Sequence, residues 1–105
     1  MPSNDRLVSN YSSGVSTPAI ASDTTAKAVN TARIAWMIQN LGQNPLFVKR
    51  GTGASTTVFD VVLKAGTAND DGTGGIYIEG AGLGWTGIIT IAGTSPRYVI
   101  TEVAP

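Results

Sequence analysis

The chain contains no cysteine and no histidine. The first absence excludes disulfides and thiolate zinc sites. The second removes the commonest general acid–base group, and with it Ser-His-Asp and Cys-His nucleophiles. Charge is also scarce: 13% of the 105 residues are charged, and seven basic against seven acidic side chains leave a formal net charge of +0. The basic residues are scattered, with Lys49-Arg50 the one adjacent pair. Such a chain lacks the electrostatic footprint of a nucleic-acid or anionic-membrane binder. No apolar run approaches the roughly 20 residues of a membrane-spanning helix. The first residues lack the basic stretch and apolar run of a secretory leader. The expectation is a non-enzymatic protein without catalytic residues, cofactor or metal, and without a nucleic-acid, membrane or small-molecule partner.

What is present divides at about residue 30. Residues 1–30 are rich in Ser, Thr, Asn and Ala, with isolated apolar positions at Leu7, Val8, Tyr11, Val15 and Ile20. This segment is read as an extended N-terminal arm, with a disordered tail as the alternative that composition leaves open, and residues 31–105 as a single domain. Ordering an extended chain costs roughly 1–2 kcal/mol per residue. The five apolar side chains do not offset that against their own small domain. The arm is therefore expected to pair along the sheet edge of a neighbouring subunit.

From residue 33 onward, short runs rich in Val, Ile, Thr and aromatics alternate with Gly-rich turns, and twelve of the chain's thirteen glycines lie here. Strands are predicted over 33–40, 46–50, 56–63, 75–79, 87–92 and 97–103. The fold class expected is all-β: one small antiparallel β-sandwich or barrel. Period-two alternation groups Phe59, Val61 and Leu63 against Asp60 and Lys64. It groups Ile76 and Ile78 against Tyr77 and Glu79, and Tyr98 and Ile100 against Arg97, Val99 and Thr101. The 33–40 run is apolar on both faces, as in a central strand covered on each side. A rival reading is a helix over 24–41, capped by Ser22-Asp23 and stopped by Gly42. Its β-branched residues and the hairpin-like stretch at Pro45 count against it.

The stretch between the first two strands is distinctive: Ile38-Gln39-Asn40-Leu41-Gly42-Gln43-Asn44-Pro45-Leu46-Phe47-Val48. Asn40 can bond nearby backbone and open the turn. Gly42 is free to adopt a left-handed conformation. Pro45 holds Asn44 extended and belongs at the start of a strand. The motif sets the register of two strands and has no chemistry of its own.

This stretch resembles a strand–turn–strand motif of small structural proteins, of head decoration or cement type, in tailed bacteriophages. Those proteins read "IQN-G-NPV-V", then a Gly-containing stretch, an apolar strand and an Ala-Gly turn. Gly51-Thr52-Gly53-Ala54-Ser55, the strand through Leu63 and Ala65-Gly66 follow here in that order. Leu83-Gly84-Trp85-Thr86-Gly87 approximates the family's later "DGYTG". An extra Gly-rich loop over 67–75 departs from the pattern. The resemblance covers about residues 33–103. It implies a β-sandwich of the virion, with the major capsid protein or other virion proteins as partners and a homo-oligomer among the expected states. A tail or head–tail connector subunit is the alternative within that class, and a small carbohydrate-binding module the alternative outside it.

Two loops invite chemical readings. Asn69-Asp70-Asp71-Gly72-Thr73-Gly74-Gly75 clusters oxygens but lacks the bidentate Glu and spacing of a calcium loop, and reads as a solvent loop. Gly51-Thr52-Gly53-Ala54-Ser55-Thr56 lacks the Gly-Lys-Ser/Thr of a phosphate cradle and reads as a hairpin loop. Trp36 lies in an apolar strand and reads as core. Leu83 and Trp85, flanking Gly84 in a Gly-rich loop, are candidate contact residues, together with the five apolar positions of the arm; a Trp85 folded back over the end of the sandwich is the alternative.

Overall fold

Which side of each strand faces inward decides this structure, a computed structural model that describes residues 6–8, 20–80 and 83–104. The strands are β1 (Arg6–Val8), β2 (Ile20–Lys27), β3 (Ala35–Asn40), β4 (Leu46–Arg50), β5 (Val61–Leu63), β6 (Ile76–Glu79), β7 (Ile89–Thr94) and β8 (Tyr98–Ala104). They form two antiparallel four-stranded sheets, β1-β8-β3-β6 and β2-β7-β4-β5. The protein is thus a small antiparallel β-sandwich, with no helix among the described residues.

The interior is built by alternation. Along β8, Tyr98, Ile100, Glu102 and Ala104 are buried and the residues between them only half so. Along β3 the inward set is Trp36, Ile38 and Asn40. Leu46 and Val48 of β4, Leu63 of β5 and Ile89 and Ile91 of β7 come from the facing sheet. The Trp36 and Tyr77 rings meet edge to face at 5.5 Å between centroids, a favoured aromatic arrangement.

The two sheets differ on their outer sides. Over β4 and β7 the chain supplies its own cover, the loop of residues 51–60. Thr90 donates its hydroxyl to the Gly51 carbonyl at 2.7 Å. Phe59 packs on Phe47 at 5.1 Å between ring centroids. Ala54 is buried, and its carbonyl accepts from the Asp23 N–H of β2 at 2.7 Å. Thr90 and Ala92, on the outer side of β7, are therefore buried as well. The β1-β8-β3-β6 sheet has no such cover among the described residues. One side of β3 is core and the other stays half-exposed, so the expectation of cover on both faces is corrected.

The N-terminal expectations change too. Ile20–Lys27 is a full strand paired with β7, so the sandwich includes residues assigned to the arm. Arg6–Val8 pairs with β8, placing Leu7 opposite Val103 and Val8 opposite Glu102. The backbones at Leu7, Val8 and Ile20 pair within their own chain. The edges of β7 and β8 are open to such pairing, which needs few apolar side chains. Tyr11 and Val15 lie outside the described residues. The predicted 56–63 strand shortens to Val61–Leu63, because residues 55–60 fold into the covering loop. Phe59 consequently leaves the face it was expected to share with Val61 and Leu63. The rival helix over 24–41 is replaced by the end of β2, a turn and β3.

The Asn40 turn works largely as its residues suggest. The Asn40 carboxamide donates to the carbonyls of Asn44 (2.9 Å), Leu63 (3.2 Å) and Lys64 (3.2 Å) and accepts from the Gly42 N–H (2.8 Å). It ties both ends of the turn to β5 of the other sheet. Gly42 does not take the expected left-handed conformation. A Cβ there would lie 3.4 Å from the Arg97 Cβ, an ordinary packing contact. Asn40→Ala should destabilise the protein by about 2–4 kcal/mol, because it strips partners from several buried backbone groups at once. Gln43→Ala, which removes one exposed bond to the Thr67 carbonyl, should cost less than about 0.5 kcal/mol. Urea denaturation of the two variants checks both values.

Candidate interaction surface

One end of the sandwich is organised by buried charge. Glu79, the last residue of β6, turns its carboxylate inward and is 6% exposed. It accepts from Trp36 Nε1–H (2.6 Å), the Trp85 backbone N–H (2.8 Å), the Tyr77 hydroxyl (2.8 Å) and Arg50 (3.3 Å). Burial pushes the Glu79 carboxyl up, but these donors outweigh it and hold the group below the usual carboxylate range. For the Tyr77 hydroxyl, burial and the bond to this carboxylate both act upward.

The second charged pair is Arg33 and Glu102, joined at 2.8 Å. The guanidinium also donates to the carbonyls of Trp85 (2.8 Å), Gly87 (3.0 Å) and Ala28 (2.7 Å). Asn30 donates to the other Glu102 oxygen at 3.1 Å. Burial pushes the Glu102 carboxyl up, while Arg33, Asn30 and Lys27 draw it below its ordinary range. Glu79 and Arg33 therefore both hold one loop, residues 83–88, through its backbone at Trp85 and Gly87. Gly84 completes the packing: a Cβ there would collide with the Ile34 carbonyl.

This loop carries the two contact residues predicted beyond the arm. Leu83 is 80% exposed, and its N–H bonds the Gly80 carbonyl at 3.1 Å. Trp85 is folded back. Its Nε1–H donates to the Ile88 carbonyl at 2.9 Å, and its ring lies against Gly87, where a Cβ would approach it to 2.6 Å. Trp85 thus presents one half-exposed ring and no free donor.

Beside the loop lies the bare outer face of the β1-β8-β3-β6 sheet. Because Tyr77 and Glu79 point inward, Ile76 and Ile78 point out, at 50% and 62% exposure. Ile78 is opposite Met37, and Met37 is opposite Thr101; Ile76, Gln39 and Val99 form the next row. A groove of about 200 Å³ opens here, lined by Ala35, Met37, Ile78, Gly80, Thr101 and Val103 among others. The outward positions of β3, β6 and β8 carry no charged side chain. Sequence reasoning paired these residues correctly by alternation but missed the inward charges of Arg33, Glu79 and Glu102. The signal for Glu102 was its phase with Tyr98 and Ile100.

The remaining motifs are self-contained. Asp71 accepts from both hydroxyls of Thr67 and Thr73 at 2.6 Å and from the Thr73 N–H at 2.9 Å, which brings its carboxyl down to about 2. Asp70 pairs with Arg97 through contacts of 2.6 and 2.7 Å. Ser55 accepts from the Thr57 and Val58 N–H groups as a turn former.

A folded-state carboxyl pKa held below its unfolded value adds stability above that unfolded value, and the gain is lost as pH falls through the folded one. Glu79 and Glu102 both act in this direction. The melting temperature should be flat near neutrality and fall as pH drops below about 4.5, where unfolded carboxylates begin to bind protons. Glu79→Gln should lower the plateau and flatten the acid limb; calorimetry from neutral to acid pH reads both. Comparison with known proteins brings no match: no family model, no curated protein and no solved structure aligns with this chain.

Proposed function

We propose that the chain is a non-enzymatic structural subunit of a tailed-phage virion, a β-sandwich that decorates or cements the head lattice. The observation that carries this reading is the uncharged outer face of the β1-β8-β3-β6 sheet, uncovered among the described residues, next to a loop held by the buried Glu79 carboxylate and the buried Arg33–Glu102 pair. A rigid, neutral apolar surface suits protein–protein packing. The resemblance of the Asn40 turn to those of small phage structural proteins supports the same class. The major capsid protein or another virion protein is the partner this implies. Repetition supplies strength: many weak contacts on one particle act together through effective concentration. A carbohydrate-binding role draws little support, because the Trp85 indole N–H is already taken by Ile88.

Quantitative mass spectrometry of purified particles tests the reading. The chain should be present at a copy number equal to that of the major capsid protein or a simple fraction of it. A few copies per particle would assign it to the tail or connector. Absence from particles would overturn the proposal.

A further inference from the structure

We infer that the outer face of the β1-β8-β3-β6 sheet pairs with the same face of a second copy of this chain, around a two-fold axis. The inference rests on the reading of the chain as an assembly subunit and names the occupant of its bare face. Three observations lead there.

The first is charge. In a two-fold contact each surface group meets its own kind. A charged face repels itself in that arrangement. The outward residues here are Ala35, Met37, Gln39, Ile76, Ile78, Val99, Thr101 and Val103, all uncharged. The chain as a whole has a formal net charge of +0, so approach of two copies meets no net repulsion.

The second is shape. Knob and hole lie together on the one face. Ile78 projects at 62% exposure and borders a groove of about 200 Å³ whose walls include Met37, Thr101 and Val103. A two-fold operation through the region of Met37 carries each copy's Ile78 toward the other's groove. The opposite sheet offers no equivalent, because residues 51–60 already cover it, with Ala54 buried and Phe59 on Phe47.

The third is area. Strands spaced about 4.8 Å apart and three to seven residues long, at about 3.3 Å per residue, give a four-stranded face of roughly 300 Å². A patch of roughly that size on a monomer is often functional. Two such faces bury roughly 600 Å² in total, about half of the roughly 1,200 Å² of a stable complex. The pair is therefore weak: monomeric when dilute, and dimeric at the high local concentration that a particle surface provides.

The absence of cysteine makes the test clean. In the full chain, Met37→Cys places one thiol near the proposed axis, and Val62→Cys places one on the opposite sheet as a control. Mild oxidation at several hundred micromolar should give disulfide-linked dimers of Met37→Cys at least tenfold faster than of Val62→Cys. Sedimentation velocity of the unmodified protein should show its average mass rising with concentration. Ile78→Asp and, independently, Thr101→Lys should hold it monomeric with unchanged circular dichroism. Equal cross-linking rates, or a monomer up to the solubility limit, would overturn the inference. The face would then be covered by residues 1–5 or 9–19 of its own chain or reserved for a different protein. Those outcomes leave the particle stoichiometry unaffected, so the virion reading stands or falls separately.

Discussion

The buried carboxylate of Glu79 is the constraint on which the exposed surface depends. Side chains along a strand alternate, so one inward residue assigns all the others. With Glu79 and Tyr77 directed at Trp36, the two isoleucines of β6 have only the outer side left. Hydrophobicity alone favours the opposite register, with Ile76 and Ile78 inside. Removing a carboxylate from water is expensive unless donors surround it. Here an indole, a phenol, a backbone N–H and a guanidinium do so. The arrangement places an apolar pair on the surface and a charge in the interior, an inversion more readily explained by contacts outside the chain than by stability within it.

Arg33 and Glu102 extend the same logic to the end loop. A buried ion pair is weak evidence for net stability, but breaking one leaves an uncompensated charge. Arg33 also satisfies the carbonyls of Ala28, Trp85 and Gly87. Two loops remote in sequence are thereby fixed against each other and against β8. The loop carrying Leu83 is held in a defined position at the rim of the groove. On the other sheet the analogous work is done by residues 51–60, anchored through Asp23 and Thr90. Among the described residues, one side of the sandwich is closed by its own chain and the other is left open.

Much of this architecture is legible in the sequence. The strands through Trp36, Leu46 and Tyr98 follow from alternation and turn chemistry, and the Asn40 turn follows from the bonding capacity of its carboxamide. Strand β2 is hidden because after Ile20 it is made of Ala, Ser, Thr, Asp and Lys, and because its pairing with β7 slips twice, between Ala21 and Thr24 and between Thr25 and Lys27. Its buried residues, Ala21 and Ala26, are too small to leave a periodic signal. The candidate surface was half legible. Leu83 is exposed as its Gly-rich setting suggests. The apolar sheet face was not foreseen, because an apolar alternate on a strand reads as core by default, and charged residues such as Glu79 and Arg33 read as surface.

The account thus joins a buried network to an open face: the network decides which residues are outside, and those residues are the ones that meet a neighbour. Methyl NMR of the isoleucines and methionines tests this most directly, recorded from dilute to concentrated solution. The account predicts that Ile76, Ile78 and Met37 shift with concentration while the core methyls of Ile38, Ile89, Ile91 and Ile100 stay fixed. Unchanged Ile76 and Ile78 signals, or a core-like environment for them in dilute solution, would contradict it.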